Sequence, residues 1–234
     1  MPLCYPGEVK TGAFLLALLL ALAAVPGASP DGFKAKDPEA RRAAVEAVRE
    51  WTDENALALA SLVHSSEDPD VLVSVARVAG NHADLNPQAT DLLRSMLELS
   101  GKGLWRARGE AAAALVRSGH AQLAEPAARD EDGRVPQRLC EALGAVKTKS
   151  EQDYQMLGSL SRHEDWRGRA AAIAALADSE GFHDAVPLLI DSLRSETGRL
   201  AGDAHTALRK LTGEDLPAAP EAWAAWLARK KGLE

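Results

Sequence analysis

The residues of this chain best suited to chemistry are six histidines, two cysteines and the acids beside them. His163-Glu164-Asp165 and His183-Asp184 each place an imidazole next to carboxylates, a combination that binds zinc and similar metals. The same acids stand where two helices are predicted to begin, and a helix N-terminus favours negative side chains. Capping explains them more simply than coordination, so we predict no metal site and no cofactor.

A nucleophilic or ligand-handling site would have to draw on Cys140 and Tyr154 together with those two histidines. Cys140 stands in an apolar helical pattern, where a cysteine is usually a small buried residue. No phosphate-binding loop, serine-nucleophile elbow, zinc-protease helix or paired C-x-x-C motif occurs. Residues 130–133 (DEDG) resemble part of a calcium loop, but Leu139 stands where the bidentate glutamate is required, which favours a solvated turn. We therefore predict a non-enzymatic protein.

The elements that position these residues are predicted to be helices in a tandem array. Residues 105–115 (WRARGEAAAAL) and 166–176 (WRGRAAAIAAL) are identical at seven of eleven positions, and apolar residues recur through the chain at helical spacing. Each repeat is predicted to be a pair of helices, a first and a second. One large apolar residue near the end of each first helix marks a mean period of 32 residues: Val48, Val78, Leu115, Leu143, Leu176 and Leu208. The pattern predicts about a dozen helices and no strand.

The repeated segment carries the same arginines in both copies, at Arg106 and Arg108 and again at Arg167 and Arg169. Such a row could recognise anions or carboxylates. The simpler interpretation is that these arginines stack on the tryptophans and pair with acids of neighbouring repeats, such as Glu110 and Glu164.

The charge of the chain argues against one class of partner. Asp and Glu number 34 against 27 Lys and Arg, which gives a net charge of −7, and no stretch concentrates basic residues. Since binding to a phosphate backbone depends on clustered lysine and arginine, we predict no nucleic-acid partner.

The first 27 residues resemble a secretory signal peptide. Lys10 precedes 13 uncharged apolar or small residues, Ala13 to Val25, which end at a Pro-Gly pair. This run is shorter than the ~20 residues that a membrane-spanning helix needs. We predict that residues 1–27 are removed and that the protein is exported, to the periplasm or beyond the cell. An uncleaved membrane anchor is the alternative, and residues 28–36 are predicted to be a linker.

The C-terminal stretch, residues 218–232, is predicted to be a capping helix. Trp223 and Trp226 are three residues apart and so share one helix face. The last unit of a stacked array has no neighbour on one side and needs an atypical cover. We predict that the two tryptophans cover the core there, with a docking site for another protein as the alternative.

The best-formed repeat is similar to a known family. Residues 166–194 (WRGRAAAIAALADSEGFHDAVPLLIDSLR) combine an early arginine, small residues, an Ala-Leu pair and an Ala-Val-Pro-Leu-Leu second helix. This arrangement resembles the short HEAT-like repeats of bacterial proteins, related to those called PBS-lyase HEAT-like. The closing Leu-Thr-Gly and Trp-x-x-Trp helix resemble the ending of exported HEAT-repeat proteins. The resemblance is good over about 166–230, fair at 104–119 and structural elsewhere.

That resemblance implies a fold and a role. The fold would be all-α, an armadillo/HEAT-type α-solenoid with a right-handed superhelix of about five to six hairpins over residues 37–234. The role would be a scaffold or adaptor that binds another protein. Some relatives are lyases, so a pocket among His163, His183, Tyr154 and Cys140 is the rival. In this family the second helices line the concave side, which makes the candidate protein-binding residues Asp184, Asp191 and Arg194.

Overall fold

The computed structural model describes residues 31–232, and all regular structure in that range is helical. Its eleven α-helices are α1 (Pro38–Glu46), α2 (Asp53–Ser65), α3 (Pro69–Gly80), α4 (Pro87–Met96), α5 (Trp105–Arg117), α6 (Arg134–Ala145), α7 (Glu151–Leu160), α8 (Trp166–Ala177), α9 (Phe182–Ser195), α10 (Gly198–Thr212) and α11 (Pro220–Lys231). Two 3-10 helices cover Gly32–Lys34 and Ala121–Arg129. The predicted all-α solenoid is confirmed. The predicted signal segment, residues 1–27, lies outside the described residues.

Local sequence sets where the helices begin and end. The side chain of Asp37 accepts hydrogen bonds from the Glu39 and Ala40 amides, and Ser150 forms a reciprocal capping box with Asp153. Gly213 ends α10 in the left-handed region at φ 72°, a conformation that glycine adopts without steric cost. These caps place helix boundaries close to those that the sequence indicates.

The helices form two rows. The first helices of the hairpins, α1, α3, α5, α6, α8 and α10, contact one another in chain order, and the remaining segments pack behind them. Glycine and alanine allow the first row to pack closely. A Cβ on Gly80 would lie 2.8 Å from the Ala114 Cβ, and one on Gly144 would lie 3.4 Å from the Ala175 Cα. The first helices therefore approach one another closely where these small residues meet.

Both ends of the described array are covered by buried aromatic residues. Phe33, inside the predicted linker, is buried in the 3-10 turn that packs on α1, so this part of the segment belongs to the folded domain. At the other end Trp223 and Trp226 are buried, and their indole N–H groups donate to the Pro217 carbonyl at 3.0 Å and to the Glu214 carboxylate at 3.1 Å. Such positions suit caps that replace a missing repeat.

The third hairpin departs from the pattern. Its second segment is the 3-10 helix Ala121–Arg129, which contains Pro126 and packs against α5, α6 and α7. Proline removes an amide donor and disfavours a regular α-helix at this point. Over the part of the chain that the structure describes, no helix is long and apolar enough to cross a membrane.

Candidate functional site

The second arginine of each repeated segment is a structural clamp. Arg108 binds the Asp130 carboxylate through Nε at 2.5 Å and Nη2 at 3.0 Å, and its Nη1 donates to the Leu99 carbonyl. Arg169 binds Glu196 at 2.5 Å and donates to the carbonyls of His163 and Glu164. Each clamp ties the loop before its own helix to the loop before the next first helix. Inter-repeat pairing is therefore present, but Glu110 and the Glu164 carboxylate were the wrong partners.

The first copy of the segment forms a closed site around Trp105. The Arg134 guanidinium, from the next first helix, lies over the indole at 4.0 Å from the ring centroid. Asp132 holds that guanidinium with contacts of 2.8 and 2.6 Å, and the pKa of Asp132 is lowered, chiefly by this hydrogen bonding. The turn predicted at 130–133 is present and Glu131 is exposed, but Asp130 and Asp132 are paired with Arg108 and Arg134 rather than solvated.

Glu110 is the buried carboxylate of the closed site, with 6% of its surface exposed. Arg117 and Arg138 donate to it at 2.9 and 3.1 Å, and Arg77 lies at 3.8 Å. Burial alone would raise the pKa of Glu110, but the hydrogen bonds from Arg138 and Arg117 outweigh burial and hold this pKa below its ordinary value. The cavity beside Trp105 and Glu110 has a volume of about 390 Å³. Its guanidinium groups are already paired with acids of the chain.

The second copy of the segment forms an open site around Trp166, whose surface is 55% exposed. A groove of about 600 Å³ runs between α6 and α8 beside this indole. The groove is lined by small residues, Gly144, Ala145, Ala170, Ala171, Ala174 and Ala175, with Cys140 among them. Polar groups of Gln137, Glu141, Arg167 and Asp178 surround it. The large aromatic face and the small apolar lining together make this groove a candidate binding surface.

The sequence around this copy differs from that of the closed copy at two of its key positions. The sequences of α6 and α10 can be aligned on their buried residues, with Leu143 matching Leu208. In this alignment Arg199 corresponds to Arg134. Thr197 replaces Asp132, and the Arg199 side chain is 88% exposed and lies 3.6 Å from Asp203. The open site also lacks a carboxylate equivalent to Glu110, since α8 has Ala171 at the corresponding position.

The predicted protein-binding residues lie together on α9. Asp184 is exposed in its first turn, and Asp191 and Arg194 form an ion pair at 3.0 Å. The last two line a groove of about 240 Å³ between α7 and α9, together with Ser161, Arg162, Ser192 and Ser195. Their role in binding stays a prediction.

The residues of the rival, ligand-handling site serve packing and loop geometry. The Cys140 thiol is buried 3.8 Å from the Gly168 carbonyl, and burial raises its pKa. The Tyr154 hydroxyl accepts a hydrogen bond from the Gly181 amide at 3.1 Å, and His163 Nδ1 accepts one from the Asp165 amide at 3.0 Å. His183 is exposed. Within residues 31–232 no three His, Cys, Asp or Glu side chains lie where they could share a metal ion.

Comparison with known proteins identifies the repeat type. Residues 121–209 match the family model for HEAT repeats. Among solved structures, the crystal structure of an engineered protein from a structural genomics consortium has a TM-score of 0.44 and 18% sequence identity, over 79% of this chain and 97% of that one. No curated protein sequence matches the chain.

Proposed function

We propose, from the premise that residues 121–209 are HEAT repeats, that this protein is a non-enzymatic interaction scaffold acting outside the cytoplasm. HEAT repeats commonly mediate protein–protein interaction. We propose that the groove between α6 and α8 binds the partner, and that Trp166 is its central contact.

The observation that carries this proposal is the exposure of Trp166 beside a lining of small residues. Tryptophan is enriched among the residues that dominate binding energy at protein interfaces. Half of this indole lies in solvent, while Trp105, at the same position of the other copy, is covered by Arg134. A partner segment lying along the groove would remove the Trp166 face and the alanine methyl groups from water.

The second-helix surface is the alternative location for the same function. The groove beside Asp191 and Arg194 is less than half as large as the groove beside Trp166, and its lining is mainly serine and charged residues. The charged pair there is exposed, and exposed ion pairs contribute little to binding energy. The Trp166 groove is therefore the stronger candidate.

A photo-cross-linking experiment separates the two surfaces. p-Benzoylphenylalanine would replace Ala174 in the first-helix groove, Asp191 on the second-helix surface, or the exposed Lys102 as a control. We expect a cross-linked protein at position 174, absent at 102, and lost when Trp166→Ala is combined with the label. Cross-linking at 191 that does not depend on Trp166 would move the binding surface to the second helices.

The export of the protein is a separate part of the proposal and rests on residues 1–27. Intact-mass measurement of the protein from the native cell envelope tests it. A chain that begins near Ala28 would support a soluble exported adaptor. A chain that retains residues 1–27 would indicate a scaffold held at the membrane.

A ligand-handling, lyase-like function is the second candidate, because the groove lies between repeats and Cys140 is among its lining residues. The raised pKa of Cys140 keeps its thiol protonated, which disfavours nucleophilic attack. Thermal-shift screening with small molecules tests this candidate. A stabilising compound whose effect disappears in Cys140→Ser would favour it over the scaffold.

A further inference from the structure

We propose that the Trp166 groove accepts a protein segment carrying an arginine, whose guanidinium stacks on the exposed indole. This inference rests on the proposed scaffold function and names the chemistry of the partner.

The closed copy of the site shows what covers this tryptophan position within the chain itself. Over Trp105 lies the guanidinium of Arg134, 4.0 Å from the ring centroid and restrained by Asp132. Arginine suits this place because its planar cation is attracted to an indole face and is more weakly hydrated than an ammonium group. Trp166 begins α8 just as Trp105 begins α5, and 55% of its surface is exposed.

Two arginines of the chain lie near Trp166, and neither covers it as Arg134 covers Trp105. Arg199 occupies the position of Arg134, but it is 88% exposed and pairs with Asp203, one turn along α10. It has no counterpart of Asp132, since Thr197 stands there. Arg167 lies 5.4 Å from the indole centroid on the same helix and is held by Asp165 at 2.9 Å. Over half of the Trp166 surface remains exposed beside both side chains.

The groove lining carries one more negative than positive side chain, and each of the two carboxylates has a cationic neighbour in the chain. Of the ionisable residues lining it that are charged at neutral pH, Glu141 and Asp178 are negative and Arg167 is positive. The Glu141 and Asp178 side chains are 46% and 61% exposed, so their carboxylates can interact with an incoming cation as well as with Arg138 and Lys210. The chain as a whole carries −7, which also steers basic segments toward it.

The lining of the groove specifies the residues beside that arginine. Alanine and glycine present short side chains along α6 and α8, and the groove volume of about 600 Å³ exceeds the 390 Å³ of the closed site. Small or apolar residues on either side of the arginine would rest on the methyl groups without displacing polar partners. The expected ligand is therefore one arginine within an otherwise uncharged, partly apolar stretch.

The test uses a phage library of random dodecapeptides, selected on the full chain and counter-selected on Trp166→Ala. The strongest Trp166-dependent peptide is then synthesised with arginine, with citrulline or with leucine at the arginine position and titrated by fluorescence anisotropy. Citrulline has nearly the same shape as arginine but no charge. We expect the citrulline peptide to bind about fivefold to tenfold more weakly, as loss of one cation–π contact predicts.

Two further variants locate the effect. Ala174→Arg places a cation in the groove at an exposed helical position, so it should abolish binding without unfolding the protein. Arg199→Ala should leave binding unchanged or slightly stronger. Circular dichroism of every variant shows whether it is folded, and Trp105→Ala gives the matched tryptophan change at the closed site.

The outcomes separate this inference from the function on which it rests. Trp166-dependent peptides without arginine, or equal binding of the arginine and citrulline forms, would overturn the arginine inference and leave the scaffold in place. If no selected peptide depends on Trp166, both the inference and the groove as a binding surface are wrong. Weaker binding by Arg199→Ala would mean that Arg199 helps to form the binding site, which would contradict the inference that the partner's arginine alone covers Trp166.

Discussion

The two copies of the Trp-Arg-x-Arg segment share their sequence and their place at the start of a first helix, yet their surroundings differ. Around Trp105, the next helix supplies Arg134 over the indole, and Glu110 forms the centre of an arginine cluster. Around Trp166 the corresponding arginine lies in solvent, and alanine replaces the glutamate. One copy is closed by the protein and the other is left open.

This difference shows how a repeat array can separate stability from binding. The clamps of Arg108 and Arg169 are present in both copies and connect consecutive repeats. The closed copy adds a buried carboxylate with three arginine neighbours, which ties α3, α5 and α6 together. The open copy lacks that cluster and retains an exposed aromatic face.

The largest expected effect is the loss of the closed site's carboxylate. Glu110→Ala leaves Arg117 and Arg138 without their buried partner, and we expect unfolding free energy to fall by about 2–3 kcal/mol. Urea denaturation measures this change. Glu141→Ala is the matched control, since that carboxylate is exposed, and its cost should stay within about 0.5 kcal/mol. Equal effects of the two variants would contradict the importance of the buried cluster.

The pH dependence of stability should also originate at the closed site. Because the pKa of Glu110 is lowered in the folded state, its contribution is complete above the pKa of the unfolded chain and is lost as the pH falls. Stability should therefore decrease below pH 4.5, the ordinary glutamate value. Denaturation curves of the wild type and Glu110→Gln between neutral and acidic pH test this, and the variant should show the smaller decrease.

Two glycine-to-alanine substitutions compare a closely packed helix contact with an open helix surface. Gly80→Ala would place a Cβ 2.8 Å from the Ala114 Cβ, where α3 meets α5, and should cost about 1–2 kcal/mol. Gly202→Ala, inside α10, meets nothing within 4 Å. It should raise stability by about 0.5–1 kcal/mol, because alanine favours the helix. In thermal denaturation, Gly80→Ala should lower the melting temperature and Gly202→Ala should raise it. Stabilisation by both variants would contradict the close packing of the first helices.

The smallest expected effect is removal of the cover over Trp105. Arg134→Ala should lower stability only slightly, through loss of the cation–π contact and of the ion pair with Asp132. It should also make Trp105 accessible to acrylamide, and fluorescence quenching measures this exposure. Arg199→Ala is the matched change at the open site and should alter neither stability nor Trp166 quenching. An unchanged quenching constant in Arg134→Ala would show that the closed site does not depend on its arginine.

The sequence predicted that arginines of one repeat pair with acids near the next repeat, but not which acids these are. Repetition of Arg108 and Arg169 indicated inter-repeat pairing, and pairing was found. The acids are Asp130 and Glu196, which follow their arginines by 22 and 27 residues, and these separations differ because the intervening segments differ in length. No fixed spacing in the sequence could identify them.

The candidate site was harder to predict than the fold. The sequence pointed to Asp184, Asp191 and Arg194 through the family's second helices, and that assignment stays a prediction. Trp166 was visible as half of a repeated pair, but the repeat makes the two tryptophans look equivalent. Their difference arises from Arg134 and Arg199, which lie in other helices.

The sequence by itself determined that this protein is an all-helical array, because helical periodicity, caps and internal repetition are local properties of the chain. It also determined which residues recur, including both tryptophans and their arginines. The tertiary structure decided which tryptophan is covered and which carboxylate is buried. The physical reason is that exposure of a side chain depends on neighbours contributed by adjacent repeats: Arg134 covers Trp105, whereas Arg199, at the corresponding position, remains 88% exposed.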